Sequence, residues 1–301
     1  MQGIVVRLHG RIAYVASDGR EYACEMRGKM KQGRRESRSP IAVGDRVEIS
    51  VIGGDDASVE SVQPRKGELV RPSTRDPRIK QVIAANVENL AIVVSADAIN
   101  DSLPTLDRLL ACAFMQNLTP AIVVNKVDLV HAPKGLKAYR KLPLNMLFVS
   151  ATRGDGLDDL RALLKGRVSV FAGLSGVGKS SLLNALEPGL DIRTNEISRS
   201  GDGKHTTTNA SLVPVAGGWV VDTPGVREFG LWELKLEELS LFYPDFEEFR
   251  LKCRFSGCTH RHEPGCAVKK AVEAGDLDKG RYDRYLDLLR ESWNAEQRQR
   301  P

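Results

Sequence analysis

Gly173-Leu174-Ser175-Gly176-Val177-Gly178-Lys179-Ser180-Ser181 follows the apolar run 168–171 and carries the G-x-x-x-x-G-K-[ST] pattern. Its glycines let the backbone fold back so that successive N–H groups face phosphate oxygens. Lys179 is placed to reach the β- and γ-phosphates, and the Ser180 hydroxyl to ligate Mg²⁺. A helix starting here also turns its positive end toward the anion. The chemistry is nucleoside triphosphate binding, and the base must be read elsewhere in the chain.

Asn125-Lys126-Val127-Asp128 and Ser150-Ala151 each leave a short apolar run. A carboxylate at 128 suits guanine, whose N1–H and 2-amino group are adjacent donors that adenine lacks. Asn125 can meet acceptors on the other edge, and the stem of Lys126 can lie along the ring. Downstream, Asp222-Thr-Pro-Gly225 follows Trp219-Val-Val221. Asp222 is expected to hold Mg²⁺ through water, and the Gly225 N–H to sense the γ-phosphate. The polar stretch 193–209 contains His205-Thr206-Thr207-Thr208, a switch loop offering a threonine to Mg²⁺. Thr207 is the assignment, with Thr206 and Thr208 open. The base-reading motifs precede the phosphate motifs, the reverse of a Ras-like order, which makes this a circularly permuted GTPase.

Cys253-x₄-Cys258-x-His260-x₅-Cys266 supplies three thiolates and an imidazole, a closed tetrahedral set for one structural Zn²⁺. His262 is a spare ligand candidate, a surface residue or a nucleic-acid contact. Cys24 and Cys112 have no ligand neighbours in sequence and are expected as buried thiols. Over 277–293 the stripe Tyr282, Tyr285, Leu286 and Leu289 has helical spacing for packing. Arg281, Arg284, Arg290, Arg298 and Arg300 are expected on the polar face and tail, as a second RNA-facing surface.

The elements that must position these groups fall into three units. Residues 1–66 read as about five short strands separated by turn signals, an all-β OB-fold barrel. Within it, Arg27, Lys29, Lys31, Arg34, Arg35 and Arg38 make a basic loop suited to RNA phosphates, or a solvated surface loop. A Pro- and Arg-rich linker over 67–80 follows. Residues 81–230 alternate apolar strands with helices at 104–116, 134–142 and 157–164, the pattern of an α/β P-loop core with a parallel sheet. Residues 231–301 form the mostly helical zinc-binding unit.

The chain has 301 residues, 42% hydrophobic and 28% charged, with net charge +5 and no apolar run long enough for a bilayer. No leader-like start is present, so a cytoplasmic protein is expected, a monomer with no membrane partner. Five cysteines do not make a disulfide scaffold at this length.

Taken together, the barrel, the permuted motifs, His-Thr-Thr-Thr, Asp-Thr-Pro-Gly-Val-Arg-Glu-Phe and the Cys₃His set resemble the RsgA (YjeQ) family of bacterial small-ribosomal-subunit biogenesis GTPases. The resemblance implies a barrel that binds 16S ribosomal RNA, a permuted GTPase core and a zinc domain. It further implies late maturation of the 30S subunit, with hydrolysis of GTP to GDP and phosphate stimulated by that subunit. After D-x-x-G, where Ras has a water-orienting glutamine, this chain has Val226, which cannot hydrogen-bond water. His205 is then the candidate catalytic residue, with an RNA contact or a role in shaping the loop as the other readings. Gly176 stands where several cation-dependent GTPases have Asn. Two other functions compete, a P-loop ATPase or kinase and an RNA-binding module with a non-hydrolysing switch.

Overall fold

The structure is a computed structural model that describes residues 1–26, 40–72, 80–130, 133–190, 210–222 and 236–299. Strands β1 (Gln2–His9), β2 (Ile12–Ser17), β3 (Arg20–Met26), β4 (Arg46–Gly53) and β5 (Asp56–Val62) run in the order 1-2-3-5-4. A β1–β4 pairing closes them into a barrel, with β3 and β5 parallel. Alternation drives the closure: Ala13 and Val15, Tyr22 and Cys24, Val47 and Ile49, and Ala57 and Val59 turn inward onto one core.

The connector expected over 67–80 carries a strand at each end. β6 (Glu68–Pro72) pairs antiparallel with β7 (Lys80–Ala85). The core follows: β8 (Asn89–Ser95), α1 (Ile99–Met115), β9 (Thr119–Asn125), β10 (Asn145–Phe148), α2 (Leu157–Leu164), β11 (Val168–Ala172), α3 (Lys179–Leu186), β12 (Ser211–Val215) and β13 (Gly218–Asp222). Helix α1 starts five residues before the expected Pro104. A proline that early removes only one backbone bond near the helix start, so the helix runs through it. The segment expected as a helix at 134–142 is a 3₁₀ turn over Lys137–Lys141.

Strands β10-β9-β8-β11-β13 are parallel neighbours, and β12 lies antiparallel on β13. Successive residues of β8 and β9 feed opposite faces, Leu90, Ile92 and Val94 toward α1, Ala91 and Val93 toward α2 and α3. This explains why the strands are continuously apolar.

Barrel and core share one sheet through Arg7 of β1 opposite Ser211 of β12. Their contact is reinforced where Ala85 N–H donates to Val43 O at 2.7 Å. Gly44 sits there at φ +88°, and a Cβ would come within 2.1 Å of Ala85 O, so a side chain is excluded. Arg65 grips the fully buried Asp45 with two 2.7 Å bonds, and Asp45 also accepts from Ala42 N–H.

The C-terminal unit is mostly helical, with 3₁₀ turns over Leu236–Phe242 and Pro244–Phe246, then α4 (Glu247–Arg250), α5 (Ala267–Ala274) and α6 (Lys279–Gln299). Its core gathers Leu239, Tyr243, Phe246, Val268, Tyr285 and Leu289, and Ala111 of α1 packs into it.

Candidate functional site

The phosphate-type loop spans the gap between β11 and α3. Gly173 has φ +143°, and a Cβ there would meet Val93 O at 2.2 Å. Gly178 has φ +94°, and a Cβ would meet Asn125 Nδ2 at 2.3 Å. Both positions therefore admit glycine alone, for backbone angle and for space. Leu174, Ser175, Gly176 and Ser181 are exposed, whereas Val177 anchors the loop in the core beside α3. Lys179 Nζ donates to Gly173 O at 3.0 Å and Leu174 O at 2.8 Å, lying along its own loop. Ser180 is buried in the first turn of α3.

The base-reading motifs lie at the same edge of the sheet. Asn125 ends β9 and is 1% exposed. Its Nδ2 donates to Val177 O at 2.9 Å, and its Oδ1 accepts from Ala151 N at 3.2 Å. Asn125 is expected to meet the base, and the fold also uses it to tie three loops together, leaving one amide hydrogen free of these bonds. Nothing in the spacing of Asn125, Val177 and Ala151 signals that tie, because it spans 52 residues. Lys126 adopts φ +62°, the left-handed conformation that turns the chain off the strand, and Val127 N–H donates to Val149 O. Ser150 Oγ donates to Asp128 Oδ1 at 2.6 Å and accepts from Arg153 N–H at 3.1 Å. The Ser150 hydroxyl, with Arg153 nearby, holds the Asp128 carboxyl below the usual range, so it presents a carboxylate acceptor at neutral pH. Asp222 ends β13, the strand beside β11, and is exposed at this edge. Ligands of open α/β sheets gather at such carboxyl ends. His205, Thr206, Thr207, Thr208, Gly225 and Val226 lie outside the described residues, as does the basic loop with Arg27, Lys29, Lys31, Arg34, Arg35 and Arg38.

The Cys₃His set also converges. The ligand atoms of Cys253, Cys258, His260 and Cys266 all lie within 4.8 Å of one another. Cys253 Sγ is 3.6 Å from His260 Nδ1 and 3.9 Å from Cys266 Sγ, and His260 Nδ1 is 3.4 Å from Cys266 Sγ. A tetrahedron with metal–sulfur bonds of about 2.3 Å and metal–nitrogen bonds of about 2.0 Å has edges of roughly 3.5–3.8 Å, so the donors fit one ion. Helix α5 begins at the cluster: Ala267 N–H points at Cys253 Sγ, and Lys269 N–H at Cys266 Sγ. His260 is held at φ +59° while Tyr282 OH donates to its carbonyl at 2.6 Å and Tyr285 OH to that of Thr259 at 2.9 Å. The tyrosine stripe thus packs and also pins the ligand loop. Glu263 steadies the same loop by accepting from Thr259 and from the N–H groups of Arg261 and His262. His262 is exposed and outside the set. Burial pushes the Cys258 thiol up to about 12 and that of Cys266 up as well, and keeps the His260 imidazole neutral. Cys24 and Cys112 are buried thiols, as expected, pushed up by burial to about 11 and about 12.

A family model described as RsgA GTPase matches residues 62–232, and one described as RsgA N-terminal domain matches residues 2–59. The chain belongs to the RsgA family. A relative from Moorella thermoacetica, a small ribosomal subunit biogenesis GTPase RsgA, is 42% identical, with 97% of each chain covered. The RsgA of Geobacillus thermodenitrificans is 39% identical over 96% of this chain and 97% of its own. Among solved structures, YjeQ from Thermotoga maritima matches with TM-score 0.77 and 35% identity, covering 96% of this chain and 97% of that one. YloQ, described as a circularly permuted GTPase, matches with TM-score 0.76 and 28% identity, covering 98% and 95%. The fold expected from the sequence therefore stands, with its barrel, permuted core and Cys/His unit. Membership in a GTPase family makes the chain an enzyme of GTP hydrolysis that uses guanine nucleotide and Mg²⁺, and the Cys₃His cluster could hold one metal ion.

One expectation fails in this RsgA-family chain. Arg281 is not on a polar face but 1% exposed, and Arg284 is mostly covered. Arg281 pairs with Asp107 of α1 and forks onto Asp245 at 2.8 and 3.1 Å. Its guanidinium lies against the rings of Tyr139 and Tyr243, 5.1 and 4.7 Å from their centroids. Arg284 reaches Asp107 Oδ2 at 2.5 Å and Tyr139 OH at 3.2 Å, and Tyr139 OH donates to Asp107 Oδ1. These arginines fasten the C-terminal unit to the GTPase core. A helical-wheel reading misses this because their partners lie 36 to 177 residues away.

Proposed function

We propose that this chain is a GTPase that binds the small (30S) ribosomal subunit, contacts its 16S rRNA and assists its late maturation, with subunit-stimulated hydrolysis of GTP to GDP and phosphate. The observation that carries the nucleotide half is the tie from Asn125 to Val177 and Ala151, which joins the guanine-type loops and the phosphate-type loop at one sheet edge. In this reading Asp128 accepts from guanine, Lys126 lies along the ring, and Val127, Ser150 and Ala151 complete the base pocket. Residues 173–181 cradle the phosphates, with Lys179 exchanging its loop carbonyls for β- and γ-phosphate oxygens. Ser180, Thr207 and Asp222 serve Mg²⁺, which neutralises charge developing on the phosphates. The Gly225 N–H contacts the γ-phosphate, and His205 orients and deprotonates the attacking water when RNA docks.

The domain assignment places an RNA-binding barrel at 1–66, a linker at 67–80, the GTPase at 81–230 and a zinc-binding unit at 231–301. Arg27, Lys29, Lys31, Arg34, Arg35 and Arg38 face rRNA phosphates, and Cys253, Cys258, His260 and Cys266 hold one structural Zn²⁺. The protein works as a cytoplasmic monomer.

Single-turnover hydrolysis of GTP with and without 30S subunits tests the reading, and turnover that the subunit does not raise would overturn it. ATP displacing GTP at equal concentration would instead favour the ATPase alternative. His205→Ala is expected to lose stimulated turnover while GTP affinity and subunit binding stay intact. Unchanged turnover in that variant would remove His205 from catalysis.

A further inference from the structure

At the edge of the sheet opposite the nucleotide loops, barrel and core enclose a cavity of about 310 Å³. Small-ligand pockets run from about 300 to 1,000 Å³, so it is of ligand size. Its walls include Gln2 and Asp18 of the barrel, Arg46 at the start of β4, Gln63 just after β5, and Trp219 of β13. A second cavity, of about 400 Å³, shares Asp18 and Trp219. Trp219 is thus a half-buried ring with open space beside it at the junction of two domains.

The polar side-chain groups of Gln2, Asp18, Arg46, Gln63 and Trp219 have no partner among the described residues. That sets the site apart from the rest of the interface, where Asp45, Arg65 and Asn86 are engaged in internal bonds. Two amides, a carboxylate and an indole N–H offer both donors and acceptors beside an aromatic face, which suits the edge and face of a nucleobase. Arg46 is exposed and offsets Asp18 in the lining; the exposed Lys165 and Arg167 flank the lining residue Gly166, and Glu187 reaches Ala216 beside the lining residue Gly217, so Arg46 is the cation inside the cavity. This combination of stacking ring, amides and surrounding cations is how proteins take up single unpaired nucleotides.

We propose that this cavity binds one unpaired RNA nucleotide, its base stacked on Trp219 and its phosphate received by Arg46. The inference rests on the reading of the chain as an RNA-associating GTPase, but it assigns a site separate from both the nucleotide loops and the basic barrel loop.

The test uses the full chain carrying Trp232→Phe and Trp293→Phe, so that Trp219 is the sole remaining tryptophan of three. A mixed-sequence single-stranded hexaribonucleotide is titrated while Trp219 fluorescence and retention of labelled RNA on filters are both followed. Saturable quenching of Trp219 is expected. Arg46→Glu should shift its midpoint at least about fivefold and Gln63→Ala should shift it less, with GTP affinity unchanged. A fivefold shift is about 1 kcal/mol, just under the roughly 1.5–3 kcal/mol of a hydrogen bond to a charged group such as the phosphate. RNA retained without quenching, or quenching indifferent to Arg46→Glu, would overturn the site while leaving RNA association standing. No retention at all would likewise overturn the site, while subunit-stimulated turnover remains the separate test of the proposed function.

Discussion

The C-terminal unit is held by two polar constructions of different kinds. The Cys₃His cluster gathers four ligands from within fourteen residues and braces a loop that backbone hydrogen bonds alone do not hold together. The Arg281 network draws on four distant segments and joins two units that each have a core of their own. The first would brace the unit's own fold once a metal is bound; the second joins the unit to the core. The network places charge in a dry environment and repays desolvation through multiple close partners rather than a single pair, whereas the cluster keeps its thiols and imidazole uncharged until a metal takes the thiol protons' place. In the network, burial alone would lower the Arg281 pKa, yet Asp107 and Asp245 push it up, so the cation persists.

The largest expected effect is at the cluster. With Zn²⁺ bound as proposed, chelation, or loss of a ligand in Cys258→Ser, is expected to unfold α5 and the ligand loop, since a structural zinc would contribute on the order of 10 kcal/mol. Hydrogen exchange should then rise over 253–274 and stay unchanged in β8, β9 and β11. Because burial keeps the Cys258 and Cys266 thiols protonated, metal uptake at pH 7 should release at least two protons, and affinity should fall as pH falls. A proton count near zero in a weakly buffered titration would show that the thiolates pre-exist.

Next in size, Asp107→Ala leaves a buried guanidinium with only Asp245 and should cost about 3 kcal/mol, the lower end for breaking a buried pair. The C-terminal unit should become protease-sensitive at its junction with the core while the cluster still binds metal. Loss of metal binding in that variant would merge the two constructions into one cooperative unit. The smallest effect belongs to Arg108 and Glu291, a pair joining the same two units but 42% and 58% exposed. Arg108→Ala should change stability by less than about 1 kcal/mol in chemical denaturation. A larger change would mean that solvent-exposed charge, not the buried network, does the docking.

How much of this could be read beforehand follows the same division. The GTPase family and the gathering of Cys253, Cys258, His260 and Cys266 are legible because the chemistry expected of their motifs needs particular residues a few positions apart. The permuted order of the GTPase motifs is legible too, and the strand order β10-β9-β8-β11-β13-β12 shows the sheet it builds. The start of α1 is not legible, because Pro104 looks like a boundary from local rules. Nor is the burial of Arg281, because a charged residue at a helical-wheel position defaults to solvent, and only its remote carboxylates reverse that default.

The sequence by itself determined the nucleotide chemistry, the ligand set and the alternating burial that makes a barrel and a parallel sheet, since each is written in residue types at short spacing. Only the tertiary structure decided that Asn125 braces the phosphate loop and that Arg281 anchors a domain. It alone also placed Trp219 beside an open cavity. Those roles depend on which distant groups share a dry or enclosed space, and chain folding, rather than local pattern, sets that proximity.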